Sequence, residues 1–298
     1  MSNENNIHTV PADIEAVRLS DYAAGIFRGL ETKSGVKKTV RRGELFVDGE
    51  IASTAVFVSA GMQIEWRRPD YVARQPYSAK IDVVYEDDFL AVVNKPAGIV
   101  VSGNRHDTVE NALLGILAKS SQPDASPFPH AAHRLDCATA GLLIIAKTQK
   151  IRIALGNLLE QKQIAKTYVA IAIGETPTMG VFTTPVNGKE AITRFKRKSV
   201  TPSLVSGKLS LLKLYPETGR THQIRIHLAD ARFPILGDKL YGDPTFMLRG
   251  KGLFLCAAKL EFIHPATGEP LNFEIEIPRK FNRFLKGELH RWEKYGRG

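Results

Sequence analysis

Apolar and polar positions change rhythm several times along this chain. Leu142-Leu143-Ile144-Ile145-Ala146 is apolar without interruption, which predicts a strand covered on both faces. Ile81 to Asp88 alternates and ends in acidic residues, and Leu90-Ala91-Val92-Val93-Asn94 follows, predicting two further strands. Lys166 to Ile173 predicts another, stopped by Gly174. Helical spacing places Ile151, Leu155, Leu158 and Leu159 on one face of a helix over 149–161. A second helix opens at Thr108, a good N-cap, with Leu113, Leu114, Ile116 and Leu117 on its buried face. Between Ser120 and Pro129 the pattern predicts a loop. Two strands are expected within 190–215, turning at Thr201-Pro202-Ser203, and a closing strand pair over 253–263 and 270–277.

The first quarter has a pattern of its own. Residues 1–12 predict a disordered lead-in. Helices follow over Tyr22–Leu30 and Val36–Arg42, then β-like runs at 44–49, 55–58 and 61–64 with a turn at Asp48-Gly49. In the second helix Lys37, Lys38, Arg41 and Arg42 fall within an arc of about 140°, opposite Val36 and Val40. Such a face is either simply solvated or built to meet phosphates. The expected organisation is a lead-in (1–12), a small module (13–68), a linker (69–79), a large domain (80–278) and a basic C-terminal tail (279–298).

Composition narrows the class. The chain has 298 residues, 43% hydrophobic and 24% charged, enough for one large or two modest domains with a sizeable core. Its net charge of +10 points to a polyanionic partner or an anionic surface. The excess is uneven: residues 279–298 hold seven Lys/Arg against Glu288 and Glu293. There Trp292 and Tyr295 lie among the cations, a mix suited to stacking on bases, although a solvated helix reads the same way. Two cysteines, Cys137 and Cys256, exclude a disulfide framework or cysteine zinc site. No secretory signal is visible and no apolar run reaches membrane-spanning length, so a cytoplasmic protein with no membrane association is expected.

Candidate chemistry centres on His133-Arg134-Leu135-Asp136-Cys137-Ala138-Thr139-Ala140-Gly141. Asp136, flanked by cations, is either an ordinary loop ion pair or an ionised, reactive carboxylate. Neither His130-x-x-His133 nor His222-x-x-x-x-His227 matches a zinc pattern, so no metal is expected. No phosphate-cradling glycine loop is present, so no nucleotide cofactor, and indeed no cofactor at all, is expected. Cys137 could be a nucleophile, but beside the Asp136 carboxylate it is a poor candidate.

His-Arg-Leu-Asp-x-x-Thr-x-Gly-Leu-Leu followed by Ala-Lys resembles the signature of the RluA-type pseudouridine synthases. Three further blocks occur in that family's order: Asn94-Lys95-Pro96-Ala97-Gly98, Lys166-Thr167-Tyr168, and Gly219 to Arg225 with Leu236-Gly237-Asp238. The resemblance spans roughly residues 80–278. Residues 13–68 resemble the ribosomal-protein S-four-like RNA-binding domain. Together these imply an α+β chain: a pseudouridine synthase fold, with an extended, largely antiparallel mixed sheet flanked by helices and loops, after a small α/β RNA-binding module.

The resemblance implies an isomerase that converts uridine in RNA to its carbon-linked isomer. Asp136 matches the catalytic nucleophile, Tyr168 the tyrosine that stacks on uracil and is proposed to take the proton from ring carbon five, and Arg225 the aspartate's partner. Arg134 matches the arginine that fills the space of the flipped-out base. His133, Lys95, Arg220 and His222 are expected to contact RNA, as are Lys37, Lys38, Arg41 and Arg42 of the small module. The implied partner is RNA, ribosomal more than transfer RNA, bound by a monomer. Ala140, Ser102 and Cys256 depart from the family, which usually has Ser at the first position and often His at the other two. Two rival readings are a catalytically inactive RNA-binding or ribosome-assembly protein and a nucleoside-cleaving hydrolase.

Overall fold

The computed structural model describes residues 6–27, 29–67, 75–242 and 250–296. The chain divides into two compact units, Met1–Ala73 and Arg74–Gly298. The expected linker lies outside the described residues up to position 74, and residues 75–79 form no helix or strand.

In the first unit, Thr32 caps the helix Lys33–Arg41 by accepting a hydrogen bond from the Gly35 amide at 3.0 Å. Val36 and Val40 are buried with Leu19, Leu45, Ile64 and Trp66, while Lys37, Lys38, Arg41 and Arg42 are exposed. Asp48 and Gly49, at φ 49° and 82°, turn Leu45–Val47 into Glu50–Ile51.

Two expectations fail here. Ile7–Thr9, within the supposed lead-in, pairs antiparallel with Gln63–Trp66 and so satisfies backbone groups of that strand. The first helix is Leu19–Tyr22 rather than Tyr22–Leu30. Gly25 and Gly29 adopt positive φ, which ends helical geometry before the expected segment is complete.

The second unit is built on a ten-stranded sheet. Its main order is Met179–Phe182, Thr193–Ser203, Gly207–Pro216, Ala165–Ile173, Leu255–Ile263, Ala140–Thr148, Leu90–Lys95, Asp82–Glu86. Pro270–Glu274 pairs with Leu255–Ile263, and Ala125–Ala131 with Ala140–Thr148. Ala140–Thr148 runs parallel to Leu255–Ile263; the other strand pairs described in this sheet are antiparallel. This is the mixed, largely antiparallel α+β sheet expected.

Leu142 to Ala146 are fully buried, as an uninterrupted apolar run demands. The segment expected to be a loop instead forms the strand Ala125–Ala131. Among the described residues it is paired on one side alone, which leaves room for Pro127 and Pro129. Nor does the chain turn at Thr201-Pro202-Ser203: the strand continues to Ser203. Pro202 faces Lys208 but lies beyond the last residue paired to Met179–Phe182, so its missing N–H interrupts no bond to that strand. The Thr108 helix stops at Leu113, and Ile116 is exposed. Residues expected as a tail form the helix Arg279–Tyr295, whose Phe281 is fully buried beside Phe254. Among the described residues no helix is long and apolar enough to cross a membrane.

One row across the sheet places the site. Lys95 stands opposite Gly141, Gly141 opposite Ala257, Ala257 opposite Tyr168 and Tyr168 opposite Leu214.

Candidate active site

Asp136 sits in the loop between Ala125–Ala131 and Ala140–Thr148. The Thr139 amide donates to the Asp136 carbonyl at 3.0 Å and closes the turn. Gly141 then brings the chain against its parallel neighbour at φ 122°. A Cβ at this position would lie 2.2 Å from the Ala257 carbonyl oxygen. A glycine is required for that approach, and the approach sets Asp136 near the strand carrying Tyr168.

Lys95 secures the same loop from below. Its ammonium donates to the carbonyls of Pro96 (2.9 Å), Ile99 (2.9 Å) and Cys137 (3.2 Å). The side chain is fully buried, and burial pushes its pKa down to about 8 against the opposing pull of Cys137 and Asp136. The expectation that Lys95 contacts RNA therefore fails: its three donors are directed at backbone carbonyls, not at solvent.

Arg225 approaches from the helix Gln223–Asp230. Its Nη1 donates to Asp136 Oδ2 at 3.1 Å, while Nε and Nη2 donate to Asp238 Oδ2 and Oδ1 at 2.7 and 2.8 Å. Burial opposes the charge on both members of the Arg225–Asp238 pair. Their mutual fork, with the Leu240 and Tyr241 amides on Asp238, outweighs it, holding the arginine's pKa up and the aspartate's down. The guanidinium is thus fixed before any substrate arrives. Gly237, at φ 77°, permits the turn into Asp238, since a Cβ there would meet the Gly252 carbonyl oxygen at 2.1 Å.

His222 precedes this helix in the left-handed region at φ 58°. A non-glycine residue is held there by fixed partners. Nδ1 is 2.9 Å from the Tyr241 hydroxyl, and Nε2 is 3.6 Å from Asp136 Oδ1. The Gln223 side chain ties the preceding loop down, donating to the Ile192 carbonyl and Thr193 hydroxyl and accepting from Thr218 and the Arg220 amide.

Asp136, His222, Gln223 and Arg225 line a cleft of about 1000 Å³ that also takes in Tyr168, His133, Arg134 and Arg220. Burial, reinforced by the Asp136 charge, raises the Tyr168 phenol far above its ordinary value, so the site holds a neutral aromatic hydroxyl. His133 accepts the Ile144 amide at 3.3 Å, and burial pushes its pKa down to about 3, so it is a neutral structural acceptor. Arg134 is exposed at the cleft and its guanidinium has no ion-pair partner among the described residues. Arg220 donates to the Glu190 carbonyl at 3.0 Å and stays exposed.

Asp136, Tyr168, Arg225, Arg134, His133, Arg220 and His222 therefore converge. Lys37, Lys38, Arg41 and Arg42 belong to the first unit. Sequence reasoning did not assign Asp238 or Tyr241 a role. Asp238 was visible in the Leu-Gly-Asp block, but the spacing of an aspartate thirteen positions after an arginine carries no signal. No cluster of three metal-binding side chains occurs among the described residues.

Residues 89–230 match the family described as RNA pseudouridylate synthase. The chain is 33% identical over 305 residues to ribosomal large subunit pseudouridine synthase D of Neisseria meningitidis serogroup A, covering 92% of this chain and 80% of that one. It is 32% identical over 308 residues to the protein of the same name from Vibrio parahaemolyticus, covering 94% and 93%. Among solved structures, human RNA pseudouridylate synthase domain containing 1 superposes with a TM-score of 0.56 at 22% identity, over 68% of this chain and 86% of that one, a likeness of fold. A buried arginine fork aimed at a loop carboxylate, on a sheet of this topology, accompanies relatedness over nearly the whole length: the chain belongs to the RNA pseudouridylate synthase family.

Proposed function

We propose that the protein isomerises particular uridines of large-subunit ribosomal RNA, with Asp136 as nucleophile, Arg225 as its fixed counter-charge and Tyr168 as the ring on which uracil rests. The carrying observation is the Asp136–Arg225 contact of 3.1 Å, made inside a cleft that Tyr168 also lines. The choice of RNA follows the names of the relatives, which are ribosomal large subunit enzymes.

The net chemistry breaks the bond between uracil N1 and the ribose anomeric carbon, forms one from ring carbon five, and moves a proton from that carbon to N1. No electrons are exchanged with an outside agent. A carboxylate that bonds covalently to the substrate and is later released suffices, provided it is ionised and placed. Arg225 supplies the counter-charge and the placement, since Asp238 prevents it from turning away. Tyr168 is held as a neutral phenol, so it meets the uracil as an uncharged ring. The target base must leave its stack, and Arg134 takes its position, a role its exposure at the cleft supports. The first unit offers Lys37, Lys38, Arg41 and Arg42 to RNA phosphates, in the manner of an S-four-like module. The enzyme acts as a cytoplasmic monomer.

The test uses RNA from cells lacking the gene, treated with wild type or Asp136→Ala and mapped for pseudouridine. Wild type should modify defined uridines and the variant none. Pseudouridine made by the variant would remove the nucleophile assignment, and free uracil as the main product would indicate a hydrolase.

A further inference from the structure

Along the helix Arg279–Tyr295, the residues Arg279, Arg283, Lys286, His290 and Lys294 recur at spacings of four, three, four and four. At 100° per residue they fall within an arc of about 80°, and they extend over about 22 Å. All five are exposed. The opposite side is occupied: Phe281 and Glu288 are buried, and Phe284 and Leu285 pack on the core.

The cations beside this stripe are already engaged. Lys280 donates to the carbonyls of Lys251 (3.1 Å) and Leu253 (2.7 Å), and Arg291 pairs with Glu288. None of the five stripe residues has a carboxylate partner among the described residues. Glu293 flanks the stripe, and Glu274 and Glu276 line a groove with Arg279, Lys198, Lys213 and Lys259. That groove also takes in Val169, which alternates with Tyr168 along its strand and so emerges on the other face of the sheet.

We propose that this stripe is a second RNA-contact surface, which grips substrate phosphates away from the target uridine. Its occupant is RNA rather than a lipid surface, because a membrane-seated helix needs a free apolar face and this one's is spent on Phe254 and its neighbours. Evenly spaced side chains, four of them Lys or Arg, reaching over several phosphate intervals suit a nucleic-acid backbone. The inference rests on the RNA-isomerase reading and extends it from one cleft to two surfaces.

The test compares the full chain with a triple variant, Arg283→Gln/Lys286→Gln/Lys294→Gln, using deproteinised ribosomal RNA and a short fragment carrying the mapped uridine. The dependence of log affinity on log salt should flatten by about 2 to 3, one phosphate contact being lost per charge. KM for the long RNA should rise about tenfold or more, with kcat unchanged and the short fragment processed as before. The charge-preserving variant Arg283→Lys/Lys286→Arg/Lys294→Arg should behave as wild type. Unchanged slope and KM in the neutral variant overturn the stripe, as does equal impairment of the charge-preserving variant, which would mean a packing role. Wild type that isomerises RNA beside an unimpaired neutral variant removes the stripe alone; wild type that neither binds nor modifies RNA removes both readings.

Discussion

Lys95 and Arg225 are buried cations, each held by named acceptors: three backbone carbonyls for the lysine and two carboxylates for the arginine. Lys37, Lys38 and Arg41 are exposed cations on a helix whose other face is buried. The two groups carry the same charge and opposite energetics. A buried charge is tolerable through fixed partners, so it serves geometry, and its loss disturbs everything it held. An exposed charge contributes little to folding and much to the long-range field that draws in a polyanion.

The contrast is broken most severely at Arg225. Arg225→Met leaves Asp238 buried without its counter-charge, and stability should fall by about 3–5 kcal/mol in denaturant unfolding. Pseudouridine formation should disappear with it. Loss of activity with unaltered stability would mean that Asp238 does not depend on Arg225.

Next comes Lys95→Met, which strips the donors from three carbonyls, one of them at Cys137 beside Asp136. The expected loss is about 2 kcal/mol with a marked fall in kcat. Because burial lowers this lysine from 10.5 to about 8, the unfolded chain holds more protons than the folded one between those values. Stability due to Lys95 therefore rises as pH increases through that window. The difference between wild-type and Lys95→Met unfolding free energies should grow from pH 8 towards 10.5, and a flat difference would contradict the assignment.

A smaller effect is expected at His133, whose pKa is lowered to about 3 from 6.5 by burial. The unfolded chain again binds the extra proton, so the histidine's contribution is present above pH 6.5 and is lost as pH falls towards 3. His133→Gln should lessen the acid sensitivity of the melting temperature in that interval; an unchanged acid limb would show that His133 is not held neutral. Smallest for stability is Lys37→Gln/Lys38→Gln/Arg41→Gln. It should change unfolding free energy by less than about 0.5 kcal/mol while weakening RNA binding at low salt. A large loss of stability would put these side chains in the wrong class.

Sequence disclosed some of this more readily than the rest. Asp136, Tyr168 and Arg225 were legible because each sits in a short motif, and the apolar run before Lys147 announced the strand that fixes the loop. The burial of Lys95 was not legible, since a lysine reads as a surface residue until three carbonyls are found around it. Asp238 was hidden for a related reason: its fork with Arg225 exists through tertiary approach. Pro127 and Pro129 disguised the Ala125–Ala131 strand, where one-sided pairing tolerates proline. Ile7–Thr9 carries little strand character of its own and is ordered by its neighbour.

The position of Leu255–Ile263 has a consequence for the order of events during synthesis. This late strand lies between Ala165–Ile173 and Ala140–Thr148, so it joins two sheet fragments whose residues emerge much earlier. Until it is made, Ala140 and Gly141 behind Asp136 and the strand bearing Tyr168 each lack their neighbour on that side, and the row from Lys95 to Leu214 is interrupted. Catalytic competence is thereby deferred to the last part of translation, and a chain stalled before Leu255 should be inactive, protease-sensitive and prone to self-association. Stalled chains that already resist proteolysis over 82–216 would show that the two fragments close without their central strand.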